Sequence, residues 1–168
     1  MKIYTIGHST HSLEKFLDVL KYYEIKLIID VRRWPSSKKF PWFGKDSLAK
    51  SLSENGIEYS HYPELGGYRK EGHANFAKSK EFDIALSKLL EKINDKAAAI
   101  LCAELLWFRC HRRYIAENLV KQGHKVIHIF DKQKTQEHKL RTKEIDEKMN
   151  LVIWCDKKAK RINSENKN

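Results

Sequence analysis

The residues best suited to chemistry are cysteines, histidines and arginines. Cys110 stands directly before His111, Arg112 and Arg113. A thiol at a helix start beside cations has its pKa lowered from about 8.5 to as little as about 3.5–7.5, and the thiolate is a nucleophile. Cys102 ends an Ala/Ile/Leu run and Glu104 follows it; His8 and Ser9 follow the first apolar stretch, Asp30 and Arg32 close the second, and Arg69 lies in a glycine-rich segment. The reactive candidates are Cys110 as nucleophile or thiol switch, His8 or His111 as general acid/base, and Glu104. Ser9, Asp30, Arg32, Arg69 and Arg112 are candidates for holding the substrate, because a guanidinium grips phosphate oxygens through two parallel hydrogen bonds.

Each of these residues also has a structural reading. A cysteine closing an aliphatic strand is a small buried hydrophobe, and a strand-end Asp or Ser caps loops. Glu104 needs a partner if buried, which Arg112 or Arg32 would supply. A Cys-x5-Arg phosphatase loop is excluded, because the arginine position is Ala116. Cys102, Cys110, His111 and His128 are types that zinc accepts, but there is no C-x2-C knuckle and no H-x3-H; zinc stays open and no metal or other cofactor is assigned.

A second group is the loop Arg32 to Lys45, RRWPSSKKFPWFGK, with five cations and no acid among four aromatic rings. Cations that meet phosphates beside rings that stack on unpaired bases suit single-stranded nucleic acid. Arg33, Trp34, Lys38, Lys39 and Trp42 are the candidates, although Trp and Phe beside prolines also fold back as a small satellite core.

The whole chain is basic, with 33 Lys+Arg against 22 Asp+Glu and a net charge of +11 over 168 residues. Residues 131–168 carry 11 basic and 7 acidic side chains, so a net +7 belongs to residues 1–130. Such a field favours an anionic substrate or nucleic acid, or is simply a lysine-rich solvated surface. Three cysteines fit a reducing compartment better than a secreted disulfide framework. Without a signal peptide or a membrane-length apolar run, a cytoplasmic protein with no membrane partner is expected. High charge with only three glutamines also fits a thermophile. Oligomeric state is not legible.

The elements that must position these residues alternate. Lys2–Ile6 reads as a strand ending at Gly7, and Ser12 as the cap of a helix carrying Leu13, Phe16, Leu17 and Leu20 on one face. Leu27–Val31 is a buried strand; Asp46 and Gly56 bracket a short helix, and Ile57–Tyr62 is the third strand. Pro63–His73 reads as a long loop. Ser79 or Lys80 opens an amphipathic helix; Ala97–Cys102 is a strand, Arg109–Gln122 a helix stopped by Gly123, and Lys125–Phe130 a strand. Residues 131–150 suggest a charged surface helix, and Leu151–Cys155 a last strand. The expectation is one α/β domain over residues 1–155, a doubly wound, mostly parallel, Rossmann-like three-layer sheet, with residues 156–168 a basic polar tail that frays. Ligands then lie at the carboxyl ends of the strands.

GHST at 7–10, DVRRWPSS at 30–37, LGGYR at 65–69, LCAE at 101–104, CHRR at 110–113 and the pair His128–Ile129 together resemble the family called domain of unknown function 488. The resemblance implies a compact α/β fold with these motifs clustered and implies no activity. Asp30-Val31-Arg32 alone is similar to a strand ending of rhodanese-like sulfur transferases. The chain is therefore expected to be an enzyme, or derived from one, that recognises a phosphate-bearing substrate such as nucleic acid or a nucleotide. A non-catalytic binding module and a thiol- or sulfur-transfer protein are the alternatives.

Overall fold

In a computed structural model the described residues are 1–140, and the architecture is that of the compact unit Met1–His138. Six strands form one sheet: β1 (Lys2–Gly7), β2 (Leu27–Asp30), β3 (Glu58–His61), β4 (Ala98–Cys102), β5 (Lys125–Ile129) and β6 (Thr135–Glu137). Their order is β3-β2-β4-β1-β5-β6, parallel throughout except that β6 runs antiparallel to β5. The fold is the expected three-layer α/β arrangement.

The layers follow from the period of two along each strand. Leu27 and Ile29 of β2, with Ile100 of β4, join one core containing Phe82, Leu86 and Leu89 of α4 (Lys80–Ile93) and Ile115 and Leu119 of α5 (Arg112–Lys121). Ile28 and Leu101 point the other way, toward Phe16 and Leu20 of α1 (Leu13–Tyr22) and Leu48 and Leu52 of α2 (Lys45–Glu54). Each such fully buried side chain contributes roughly 1.5–3 kcal/mol relative to exposure. The central strands read as continuous apolar runs because both of their faces are covered.

Serine caps set two of the helix starts. The Ser12 and Ser79 side chains accept from the third residue's backbone N–H, each at 3.2 Å. The expected cap at Asp46 is displaced: a 3-10 turn at Pro41–Phe43 and a bond from Lys45 N to Pro35 O start α2 at Lys45, so Asp46 lies in its first turn. Within the long loop, α3 (His73–Phe76) adds a single turn.

Two further boundaries differ from the sequence expectation. The helix expected from Arg109 begins at Arg112; Trp107–Arg109 is a 3-10 turn, leaving Cys110 and His111 between elements. The charged helix expected over residues 131–150 gives way in its described part, 131–140, to β6, because the Asp131 side chain accepts from Gln133 N and Lys134 N, both at 2.8 Å, and turns the chain back; residues 141–150 lie outside the described residues. The strand expected at Leu151–Cys155 and the tail 156–168 lie outside the described residues. Among the described residues no helix is long and apolar enough to cross a membrane.

Candidate functional site

Strand register brings the carboxyl ends of β1, β2 and β4 together: Gly7 pairs with Cys102, and Asp30 with Leu101. Beyond β1 the chain stays on β4, with His8 N donating to Cys102 O at 3.1 Å and Ser9 N to Ala103 O at 2.8 Å. Gly7 permits this, since an added Cβ would lie 1.9 Å from the carbonyl oxygen of Glu104. Ser9 then takes a left-handed backbone, φ 47°, and on the facing loop Tyr68 does the same, φ 62°. Between them opens a cavity of about 600 Å³, lined by His8, Ser9, Arg32, Arg33, Trp34, Tyr68, Cys102, Glu104 and His111, with Gly67 and the Ser36–Ser37 loop.

Asp30 and Arg32 are a closed pair. Asp30 Oδ2 accepts from Arg32 Nη2 at 2.6 Å and from the Tyr59 hydroxyl at 2.7 Å, while Oδ1 accepts from Arg32 Nε at 2.9 Å. Arg32 Nη1 donates to Phe43 O at 2.8 Å and lies 3.3 Å from His8 Nε2. His61 Nε2 donates to Arg32 O at 2.8 Å. Tyr59 keeps its proton, its pKa raised by burial and by the Asp30 charge.

His8 is held by this pair. Its ring stacks on Phe43 at 4.2 Å, and its Nδ1 lies 3.1 Å from Ser9 O. Because Arg32 can only donate, His8 Nε2 accepts and Nδ1 carries the proton toward Ser9. Burial and then Arg32 lower its pKa to about 4. Both ring nitrogens are therefore occupied within the protein.

The two thiols meet His111. Its Nδ1 lies 3.6 Å from Cys110 Sγ and 3.9 Å from Cys102 Sγ, while Nε2 lies 3.2 Å from Val31 O. Arg112 N also approaches Cys110 Sγ, at 3.5 Å. Both cysteines are buried. Burial opposes ionisation of Cys110, but hydrogen bonds with Cys102 and His111, and then the Arg112 charge, hold its pKa well below the usual thiol value. Cys102 is pushed up, first by its hydrogen bond to Cys110 and then by burial. Only Cys102 of the two faces the cavity. His73 stacks on His111 at 5.0 Å, and burial, then His111, lower its pKa to about 4.

The remaining candidates are dispersed. Arg112 is buried; its Nη1 reaches the Thr5 hydroxyl at 3.4 Å and its Nη2 the carbonyl oxygens of Glu104 and Leu105. Glu104 is thus exposed at the cavity with its main chain, not its carboxylate, against Arg112, because Gly7 draws that carbonyl inward. Arg69 lies over the Phe76 ring at 3.7 Å in a separate groove with Glu64 and Lys88. Arg113 packs over Tyr114 at 4.5 Å. His128 is remote from the thiols. It belongs to a buried chain from Thr5 Oγ1 (2.7 Å) through His138 Nδ1 (2.9 Å) to Glu117 Oε2 (3.2 Å), under the stacked Trp107 ring at 4.3 Å.

The aromatic loop divides. Trp42 is partly buried against the α1–α2 core, its Nε1 donating to His11 O at 3.3 Å. Trp34 is 64% exposed and Tyr68 76% exposed, with ring centroids 5.7 Å apart at the cavity. Arg33 lies 5.3 Å over Trp34 and donates to Tyr68 O at 3.2 Å, while Lys38 and Lys39 are exposed. Tyr59, Tyr68, His73 and His138 escaped the sequence reading; only the LGGYR glycines and the isolated His73 before a short apolar run marked any of them.

Comparison with known proteins gives one finding. A family model described as "Domain of unknown function DUF488" matches residues 12–119, which span the DVRRWPSS, LGGYR, LCAE and CHRR segments. No curated protein and no solved structure matches the chain.

Proposed function

The chain belongs to the DUF488 family, whose description assigns no reaction, and from the cavity we propose that it is an enzyme, or derived from one, recognising a nucleotide or a single-stranded nucleic-acid segment. The observation that carries this reading is the exposed pair Trp34 and Tyr68 at the cavity, with Arg33 against both. Large exposed aromatics beside cations suit a base stacked on a ring with its phosphate on the guanidinium. Of the groups that line the cavity, Glu104 serves proton transfer and Cys102 is the sulfur that meets the ligand, with Cys110 behind it and His111 holding the two sulfurs through Nδ1. Arg33, Lys38 and Lys39 supply the charge; Arg32 and Arg112 position His8 and the Glu104 loop.

Titration of mononucleotides and short single strands, followed by tryptophan fluorescence at several salt concentrations, tests this reading. Binding should weaken with salt at a slope of about −0.7 per phosphate contact. Trp34→Ala should weaken it by roughly 1–3 kcal/mol for a stacked base. Absence of binding to every nucleotide at low salt would overturn it.

A further inference from the structure

We propose that Cys102, Cys110 and His111 form a mononuclear site for a divalent, borderline-soft cation, zinc first, whose fourth coordination position opens onto the cavity. The ligating atoms of the three residues all lie within 4.8 Å of one another. A tetrahedral zinc with bonds of about 2.3 Å to sulfur and about 2.0 Å to nitrogen holds a sulfur and a nitrogen ligand about 3.5 Å apart. The sulfurs of Cys110 and Cys102 lie 3.6 and 3.9 Å from Nδ1 of His111. Both sulfur–nitrogen distances are therefore already close to ligand spacing.

The surroundings are those of a metal ligand set. Val31 O can only accept, so His111 Nε2 carries a proton, and in the neutral ring Nδ1 presents a lone pair toward both sulfurs. A histidine whose second nitrogen donates to a backbone carbonyl is the usual outer support of a metal-bound imidazole, fixing tautomer and ring plane. One lone pair satisfies one thiol by hydrogen bonding; a cation between them satisfies all three groups. The Arg112 N–H, 3.5 Å from Cys110 Sγ, supports a thiolate from the side.

The fourth side is open because of Gly67. A Cβ there would lie 3.3 Å from His111 Nδ1 and 3.9 Å from His73 Nε2, a buried nitrogen with no hydrogen-bond partner among the described residues. Cys102, His111 and Gly67 all line the cavity, so a water or substrate atom on the metal would face it. Three protein ligands with one open position is the arrangement of catalytic zinc sites, and a Cys2His set is among those in use. The adjacency of Cys110 to His111 and the seven residues separating the cysteines disguise the site in sequence, where no knuckle spacing is present. Binding holds both sulfurs as thiolates and releases to solvent any proton they still carry.

The test is read without any nucleotide, so its outcome is separable from the binding reading above. Full-length protein is purified under reducing, anaerobic conditions, stripped with chelator and titrated with Co²⁺ alone. One equivalent should bind with a thiolate-to-cobalt charge-transfer band and intense visible bands of tetrahedral coordination, and Zn²⁺ should displace it. Cys102→Ser and Cys110→Ser should each weaken that band, and His111→Gln should lower affinity by more than the roughly 10–100-fold typical of losing an outer support. Cys155→Ser should change nothing. Circular dichroism separates loss of a ligand from loss of fold. Where a variant does not fold, protection of wild-type thiols from alkylation by one equivalent of Zn²⁺ gives the same information. Absence of the charge-transfer band in the wild type, or its survival in folded Cys102→Ser and Cys110→Ser, overturns the site and leaves a hydrogen-bonded thiol–imidazole cluster.

Discussion

The Arg32 guanidinium closes on the carboxylate of Asp30, two residues before it, through Nη2–Oδ2 at 2.6 Å and Nε–Oδ1 at 2.9 Å, with both side chains buried. A buried pair of this kind returns little net stability over an apolar isostere, but losing one partner leaves the other charge uncompensated. Asp30→Asn should therefore cost roughly 3–5 kcal/mol in urea unfolding, the range for breaking a buried pair. The double variant with Arg32→Met should recover part of that loss. A double-variant loss equal to the sum of the Asp30→Asn and Arg32→Met losses would show that the two charges are not coupled.

His128 gives stability a pH dependence whose sign is fixed by its lowered pKa of about 2, set by burial and then by His138. Near its ordinary value of about 6.5 the unfolded chain takes up a proton that the folded one refuses. The contribution is fully present above about pH 6.5 and is lost progressively as pH falls toward 2, by up to about 1.4 kcal/mol per pH unit. With neutral rings, one donor direction runs from Arg112 through Thr5, His128 and His138 to Glu117, and an added proton breaks it. Urea midpoints of His128→Gln between pH 7 and pH 4 should fall less steeply than those of the wild type; parallel slopes would remove His128 from the acid response.

Trp34 and Trp42, eight positions apart, should respond oppositely to truncation. Trp42 packs on the α1–α2 core and donates to His11 O, so Trp42→Ala should lower stability, toward or below the low end of the roughly 3–5 kcal/mol for a fully buried ring. Trp34 is exposed, and Trp34→Ala should leave the unfolding midpoint nearly unchanged, within about 0.5 kcal/mol. Thermal and urea unfolding of both variants check the contrast.

The strands and the loops that follow them were legible because apolar periods report burial directly, and a parallel sheet sends its loop residues to one end. Leu27–Val31 and Ala97–Cys102 read as buried strands for this reason, and β2 and β4 occupy all but one residue of each. What each polar group touches was not legible. Arg32 looked available to a phosphate until Asp30, Tyr59 and Phe43 closed around it, and Tyr59 is 29 residues from Asp30. Thr5 and His128 meet across 123 residues, a contact that only the β1–β5 pairing creates. The Cys102–Cys110–His111 cluster was visible as residue types but not as a geometry, because a 3-10 turn at Trp107–Arg109 folds the intervening segment back.

Ser9 and Tyr68, on opposite rims of the cavity, both hold left-handed backbone without being glycine. Such a conformation disfavours each by roughly 1–2 kcal/mol, a burden borne when the chain folds and not when a ligand arrives. The mouth is accordingly shaped in advance: a ligand entering it would meet turns already formed, and the protein would forfeit less conformational entropy in holding it.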